Sequence, residues 1–243
     1  MKNRARSKFY LPAGGGIKFG HLMLLALIAA SAGVGYRQWQ QSQSAPTLDQ
    51  IQANLENALI FPDDYQSIPA FNLIDHDGKE VSEQSFSDRW SMLFFGFTQC
   101  PDICPVTLAV LRDATTLIEE QVEPSKPFEI VFLSVDPQRD PPEVIKPYVE
   151  GFGDNTRGMT GELNAVLDFA RSMNIVVSYD ADPDDPTYYT VDHTASILLI
   201  DPEKRIRAKF NLPHEPDTIA SDYLQITQAL LSLIHISEPT RPY

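Results

Sequence analysis

Two cysteines, Cys100 and Cys104, are the only ones in a chain of 243 residues. Too few for a disulfide scaffold, they sit at a spacing that suits soft-metal binding or thiol–disulfide exchange. Positions i and i+4 share a helix face, so both sulfurs are expected to point one way from a helix start. There the helix dipole and free N–H groups favour thiolates. Asp102 between them works against that charge, and Pro101 and Pro105 stiffen the turn. Two sulfurs are an incomplete metal shell, so a third ligand has to come from elsewhere. The histidines are His21, His76, His193, His214 and His235. His21 lies in an apolar run, His235 in an anomalous tail, His76 in a turn, and His214 after Leu-Pro in a loop. His193 is expected to open a strand over 194–200, at the sheet edge that carries the cysteines. Cys100, Cys104 and His193 are therefore the candidate ligands. The set suits copper: the sulfurs hold Cu(I), and the imidazole helps hold Cu(II). Zinc competes, but a structural zinc site closes with four ligands and no fourth is evident. On spacing alone, a structural disulfide or two inert core cysteines stays open for the pair, and a hydrogen-bonded structural role for the histidine. Asp136, Arg139 and Asp140 read as a loop-capping network.

The elements around these residues follow from periodicity. The nearly continuous apolar runs at 90–97 and 128–135 suit central strands covered on both faces. A helix follows the cysteines from about residue 107 to 121. An Asp-Gly turn within 71–81 signals a hairpin. Further helices are expected from Pro141–Pro142 to about 152, over 163–173 and over 217–230, with strands at 176–179, 194–200 and 205–210. An acidic, Pro-bearing loop spans 180–187. This order predicts a mixed sheet with helices on its faces, an α/β sandwich over 67–230.

Charge is unevenly placed. Residues 1–36 carry Lys2, Arg4, Arg6, Lys8 and Lys18 and no acid, so the net −14 becomes −19 beyond them. A body that acidic repels nucleic acid and suits a cationic partner or a metal ion. The basic stretch 1–16 precedes an apolar segment at 17–36, long enough for one membrane span, with the N-terminus in the cytoplasm. Ala30-Ser31-Ala32 would also fit a signal-peptide cleavage site. Either way the body lies across a membrane, which in a bacterium is the periplasm. Residues 37–66, Gln- and Ser-rich, read as a tether, with a short packed helix within 48–59 as the alternative. The stretch 231–243 resembles the translation of a transposase adapter from DNA library preparation, so the native chain is expected to end near Leu230, and His235 is excluded from the site.

Phe95-Gly-Phe-Thr-Gln-Cys-Pro-Asp-Ile-Cys-Pro105 closely resembles the signature of the SCO/SenC family, as do Leu133-Ser-Val-Asp-Pro-Gln-Arg-Asp140, Met159-Thr-Gly161 and Val191-Asp-His-Thr194. The resemblance covers about residues 66–230. It implies a thioredoxin-like fold and a membrane-anchored copper chaperone that helps build the CuA centre of cytochrome c oxidase, with the copper-bearing oxidase subunit as partner and periplasmic copper chaperones or thiol oxidoreductases as further ones. It carries the metal ligands over to Cys100, Cys104 and His193, and matches Asp192 to an acidic position beside the histidine, expected to steer the imidazole or balance charge. Gln99 departs from the family, where many relatives have His, at a position that is not a ligand. Three functions compete: copper delivery without turnover, thiol–disulfide exchange by Cys100 and Cys104, and a peroxiredoxin-like peroxidase. Copper or redox sensing is also compatible with the residues. Three residues between the cysteines, where thioredoxin motifs have two, weigh against the second.

Overall fold

The computed structural model describes residues 19–42, 46–121, 128–181 and 189–237. The chain forms two compact units, divided after Ala45. In the first, helix α1 covers Phe19–Ser42, with Met23, Leu24, Leu27, Ile28 and Val34 exposed. The segment expected as an anchor is thus helical from Phe19. Among the described residues, however, no helix is long and apolar enough to cross a membrane. The basic stretch 1–16 and the final residues 238–243 lie outside the described residues.

The second unit begins at Pro46, earlier than the expected boundary at residue 67. Helix α2 (Leu48–Gln52) buries Ile51, and strand β1 (Ala58–Ile60) joins the main sheet. Thr47 and Gln50 form a capping box: the Thr47 hydroxyl accepts from the Gln50 N–H at 3.3 Å and Gln50 Oε1 accepts from the Thr47 N–H at 2.9 Å. The polar composition of 37–66 hides this short pattern of Leu48, Ile51, Ala58 and Ile60.

The remaining elements run in chain order. Strands β2 (Leu73–Asp75) and β3 (Glu80–Val81) form the expected hairpin, followed by β4 (Trp90–Gly96), α3 (Ile103–Gln121), β5 (Phe128–Ser134), α4 (Pro142–Glu150), β6 (Thr156–Thr160) and α5 (Leu163–Ser172). Then come β7 (Val177–Ala181), β8 (Tyr189–His193), β9 (Ile197–Ile200), β10 (Ile206–Phe210) and α6 (Pro216–Ser237). The eight-stranded sheet has the order β1-β10-β9-β4-β5-β6-β2-β3. The β4, β5 and β6 strands are parallel, and β9 is antiparallel to β4. This mixed sheet with flanking helices is the expected α/β sandwich, and β4–α3–β5 followed by the β9–β10 hairpin and α6 is its thioredoxin-like part. The apolar runs have become its centre: Met92–Phe95 and Ile130–Leu133 are wholly inaccessible to solvent.

Besides β1, two more strands were not foreseen. β6 is Thr-Arg-Gly-Met-Thr, which carries almost no apolar signal. A Cβ on Gly158 would come 2.1 Å from Ile145 Cγ2, so glycine there lets α4 lie close on the sheet. β8 pairs only with β7, as a two-stranded sheet apart from the main one. His193 therefore closes β8 and does not open the next strand, which starts only at Ile197.

Candidate metal centre

Strand β4 delivers the chain to the site and α3 leaves it. The helix starts at Ile103, earlier than apolar periodicity suggests, because Pro105 in its first turn needs no N–H partner. Cys104 thus sits in the first turn, whereas Cys100 lies in the turn before the helix, held by its N–H to the Phe97 carbonyl at 3.3 Å. The expectation that both sulfurs rise from one helical face is corrected here: only Cys104 belongs to the helix. Both cysteines are free and buried, Cys104 completely and Cys100 with 9% of its surface remaining.

The His193 ring reaches this point from the β7–β8 hairpin. Its Nε2 lies 3.6 Å from Cys104 Sγ, and its Nδ1 lies 3.2 Å from the Thr194 carbonyl oxygen. A carbonyl only accepts, so Nδ1 carries the proton and Nε2 turns a lone pair toward the sulfur. Phe94 and Phe97 meet the ring edge-on, at centroid distances of 6.1 and 6.0 Å. Burial pushes the Cys104 thiol far above the ordinary thiol range, and the neighbouring Cys100 thiol pushes it further, against a backbone N–H from Phe97. Burial also depresses the imidazole of His193, against its Thr194 contact and the charge of Asp192. The resting state is therefore a protonated thiol facing a neutral imidazole.

Of the other expected residues, Asp192 is exposed and alternates with His193 on β8, so it acts on the ring by charge, while the hydrogen bond that orients the ring comes from Thr194. His76 is occupied elsewhere, its Nδ1 accepting from the Gly158 N–H at 2.9 Å. His214 is buried against the Thr107 hydroxyl at 3.3 Å. The side chains of His21 and His235 lie outside the described residues.

Several residues of the site carried no signal as ligands. A Cβ on Gly96 would meet Cys104 Sγ at 3.0 Å and the Phe132 ring at 2.7 Å, so this glycine makes the space the sulfur occupies. Tyr148 of α4 stacks obliquely on Phe132 at 5.4 Å and keeps a buried hydroxyl with no hydrogen-bond partner among the described residues. Burial, with the nearby thiols and Asp140 behind it, pushes that phenol well above its usual range. Its only trace in the sequence is its place three residues after Ile145 on the buried stripe of α4. Asp140 accepts from the Thr98 N–H at 2.8 Å and from the hydroxyls of Thr98 and Ser134 at 2.5 Å each, so it fixes the start of the cysteine turn. Burial raises its carboxyl despite these bonds.

Two sulfurs and an imidazole lone pair form a donor set of the right chemistry for copper. Among the described residues no group of three or more His, Cys, Asp or Glu side chains is already gathered into a metal cage. One sulfur and the ring nitrogen face each other, and the second sulfur stands beside the first.

The profile of the SCO1/SenC family matches residues 62–228. Protein sco1 of Schizosaccharomyces pombe is 32% identical over 181 residues, 73% of this chain and 66% of the yeast protein, so the chain spans just under two thirds of that relative's length. Arabidopsis thaliana ScoI, solved with copper bound, superposes with a TM-score of 0.62 at 32% identity, over 67% of this chain and 99% of the other. BsSco, described as having a disulfide switch and as a member of the Sco family of cytochrome c oxidase assembly proteins, superposes with a TM-score of 0.54 at 26% identity, over 72% and 98%. With a profile match over residues 62–228, well over half of its length, the chain belongs to the SCO1/SenC family.

Proposed function

We propose that this chain is a copper metallochaperone that binds copper through Cys100, Cys104 and His193 and delivers it to the CuA site of cytochrome c oxidase during assembly. The observation that carries the reading is the Nε2 lone pair of His193 aimed at Cys104 Sγ from 3.6 Å, with a second thiol adjacent. The copper-bound Arabidopsis structure and the oxidase-assembly description of BsSco support it. Copper is the cargo. Both thiols would lose their protons on loading, the adjacent sulfurs of Cys100 and Cys104 would hold the metal together, and the imidazole would join as third donor. Three donors leave a position through which a partner's sulfur or imidazole enters. The basic N-terminus and the apolar run at 17–36 support anchoring as a single-pass protein of a bacterial inner membrane, with the body in the periplasm.

The test is copper titration of the reduced full chain. One equivalent of either oxidation state is expected, with Cu(II) binding lost in His193→Ala and both states lost in Cys104→Ser. An unchanged Cu(II) affinity and spectrum in His193→Ala would overturn the three-donor site. The second reading is thiol–disulfide exchange. The two adjacent free thiols favour it, since they can pass two electrons to a partner disulfide and end joined to each other. It requires the reduced chain to reduce the oxidase-subunit cysteines with no copper present.

A further inference from the structure

The loop that joins β5 to α4, residues 136–140, touches both halves of the site. On one side Asp140 holds Thr98, two positions before Cys100. On the other side Asp136 and Arg139 close onto β8. Asp136 is almost wholly buried and accepts from the Tyr189 hydroxyl at 2.6 Å and from Arg139 Nε. Arg139 Nη1 donates to the Tyr189 carbonyl at 3.1 Å. The guanidinium lies 4.0 Å over the Tyr189 ring and 5.8 Å from the Phe97 ring, which itself touches His193. The neighbouring strand is tied to the same segment, because the Tyr179 hydroxyl donates to the Val135 carbonyl.

These contacts matter because, among the described residues, β7 and β8 pair only with each other and no sheet ladder holds the hairpin to the body. On β8, Tyr189, Val191 and His193 share one face. Val191 is buried, while Asp192 is exposed. A grip on Tyr189 therefore sets the height at which the imidazole arrives. The planar guanidinium grips in three ways at once, by ion pair, hydrogen bond and ring stacking, which a lysine cannot reproduce.

We infer that Arg139, together with Asp136 and Tyr189, is a positioning clamp that holds the His193 hairpin at bonding distance from the thiols. It governs the imidazole-dependent part of copper binding and leaves the sulfur-dependent part alone. The inference rests on the copper reading of the site and adds to it the residues that set Cu(II) against Cu(I).

The experiment compares the full chain with Arg139→Gln, Arg139→Lys and Tyr189→Phe, using Cu(II) and Cu(I) in chelator competition and amide hydrogen exchange over 189–193 on the metal-free protein. Arg139→Gln is expected to lower Cu(II) affinity roughly 10–100-fold, the usual range for residues that orient a ligand. Cu(I), held by sulfur, should stay within about threefold, and exchange over 189–193 should speed up. Arg139→Lys should fail to restore the wild-type values, and Tyr189→Phe should move them the same way to a smaller degree. Unchanged Cu(II) affinity in Arg139→Gln, unchanged exchange over 189–193, or equal losses for both oxidation states would each overturn the clamp. A wild-type chain that takes up no copper would overturn the function proposed above, while the exchange measurement would still test the clamp.

Discussion

Burial at the level of single residues sets how the site responds to pH. The Cys104 thiol is held protonated and the His193 imidazole neutral, each by loss of water. Copper has to displace the thiol proton but meets an imidazole already in its ligand form. Apparent Cu(II) affinity is therefore expected to rise with pH from neutral into the alkaline range. Proton competition for the imidazole should set in only below its ordinary value of 6.5. A pH series of Cu(II) titrations checks both limbs. The metal-free fold should follow the same groups. The raised thiol contributes stability that is present below its ordinary value of 9.0 and lost above it. The depressed imidazole contributes stability that is present above 6.5 and lost as pH falls through its lowered value. Denaturant melts at acid, neutral and alkaline pH should thus be highest in the middle. Space matters as much as charge here. Gly96→Ala puts a methyl carbon against Phe132 and Cys104 Sγ, so it should cost about 1–3 kcal/mol in a denaturant melt and shift the copper–thiolate absorption.

Among the elements, the central strands and the cysteine turn were legible because buried parallel strands are written as unbroken apolar runs, as at Met92–Phe95 and Ile130–Leu133. That His193 would meet Cys104 was legible from sulfur spacing, from elimination among the histidines and from the family resemblance. The supports were not. β8 has two exposed polar residues, Thr190 and Asp192, alternating with Tyr189 and Val191, and follows an acidic loop whose residues 182–188 lie outside the described residues, so a five-residue half-exposed strand merges into that loop. Helix α3 began early because proline in a first turn reads as a break in periodicity though it is no break in the helix. The Asp140 network joins residues 42 positions apart, a distance no local pattern conveys. Asp140→Ala leaves the Thr98 N–H and the Thr98 and Ser134 hydroxyls without their acceptor, so it should destabilise the fold by about 1–3 kcal/mol. It should also speed alkylation of Cys100 while one equivalent of copper still binds, as a thiol-labelling time course would show.

Over the whole molecule, stability and chemistry are anchored at different places. The wholly buried Asp222 of α6 accepts the N–H groups of Glu56, Asn57 and Ala58 at 2.9, 2.9 and 2.8 Å, and so fastens the edge strand β1 to the helix. Asp222→Ala leaves those donors without a partner. About 3 kcal/mol should be lost in a denaturant melt, with copper stoichiometry and spectrum unchanged. The net charge of −14 favours a cationic partner face, so association with the proposed oxidase partner should weaken as salt rises, a trend that binding measurements across an ionic-strength series would reveal.

The unequal exposure of the two cysteines, 9% against none, gives the centre an outer door and an inner wall. Of the two thiols, a visiting nucleophile meets Cys100 first. Under the proposed delivery of copper, the ion would change owner one bond at a time, with the inner sulfur the last to let go.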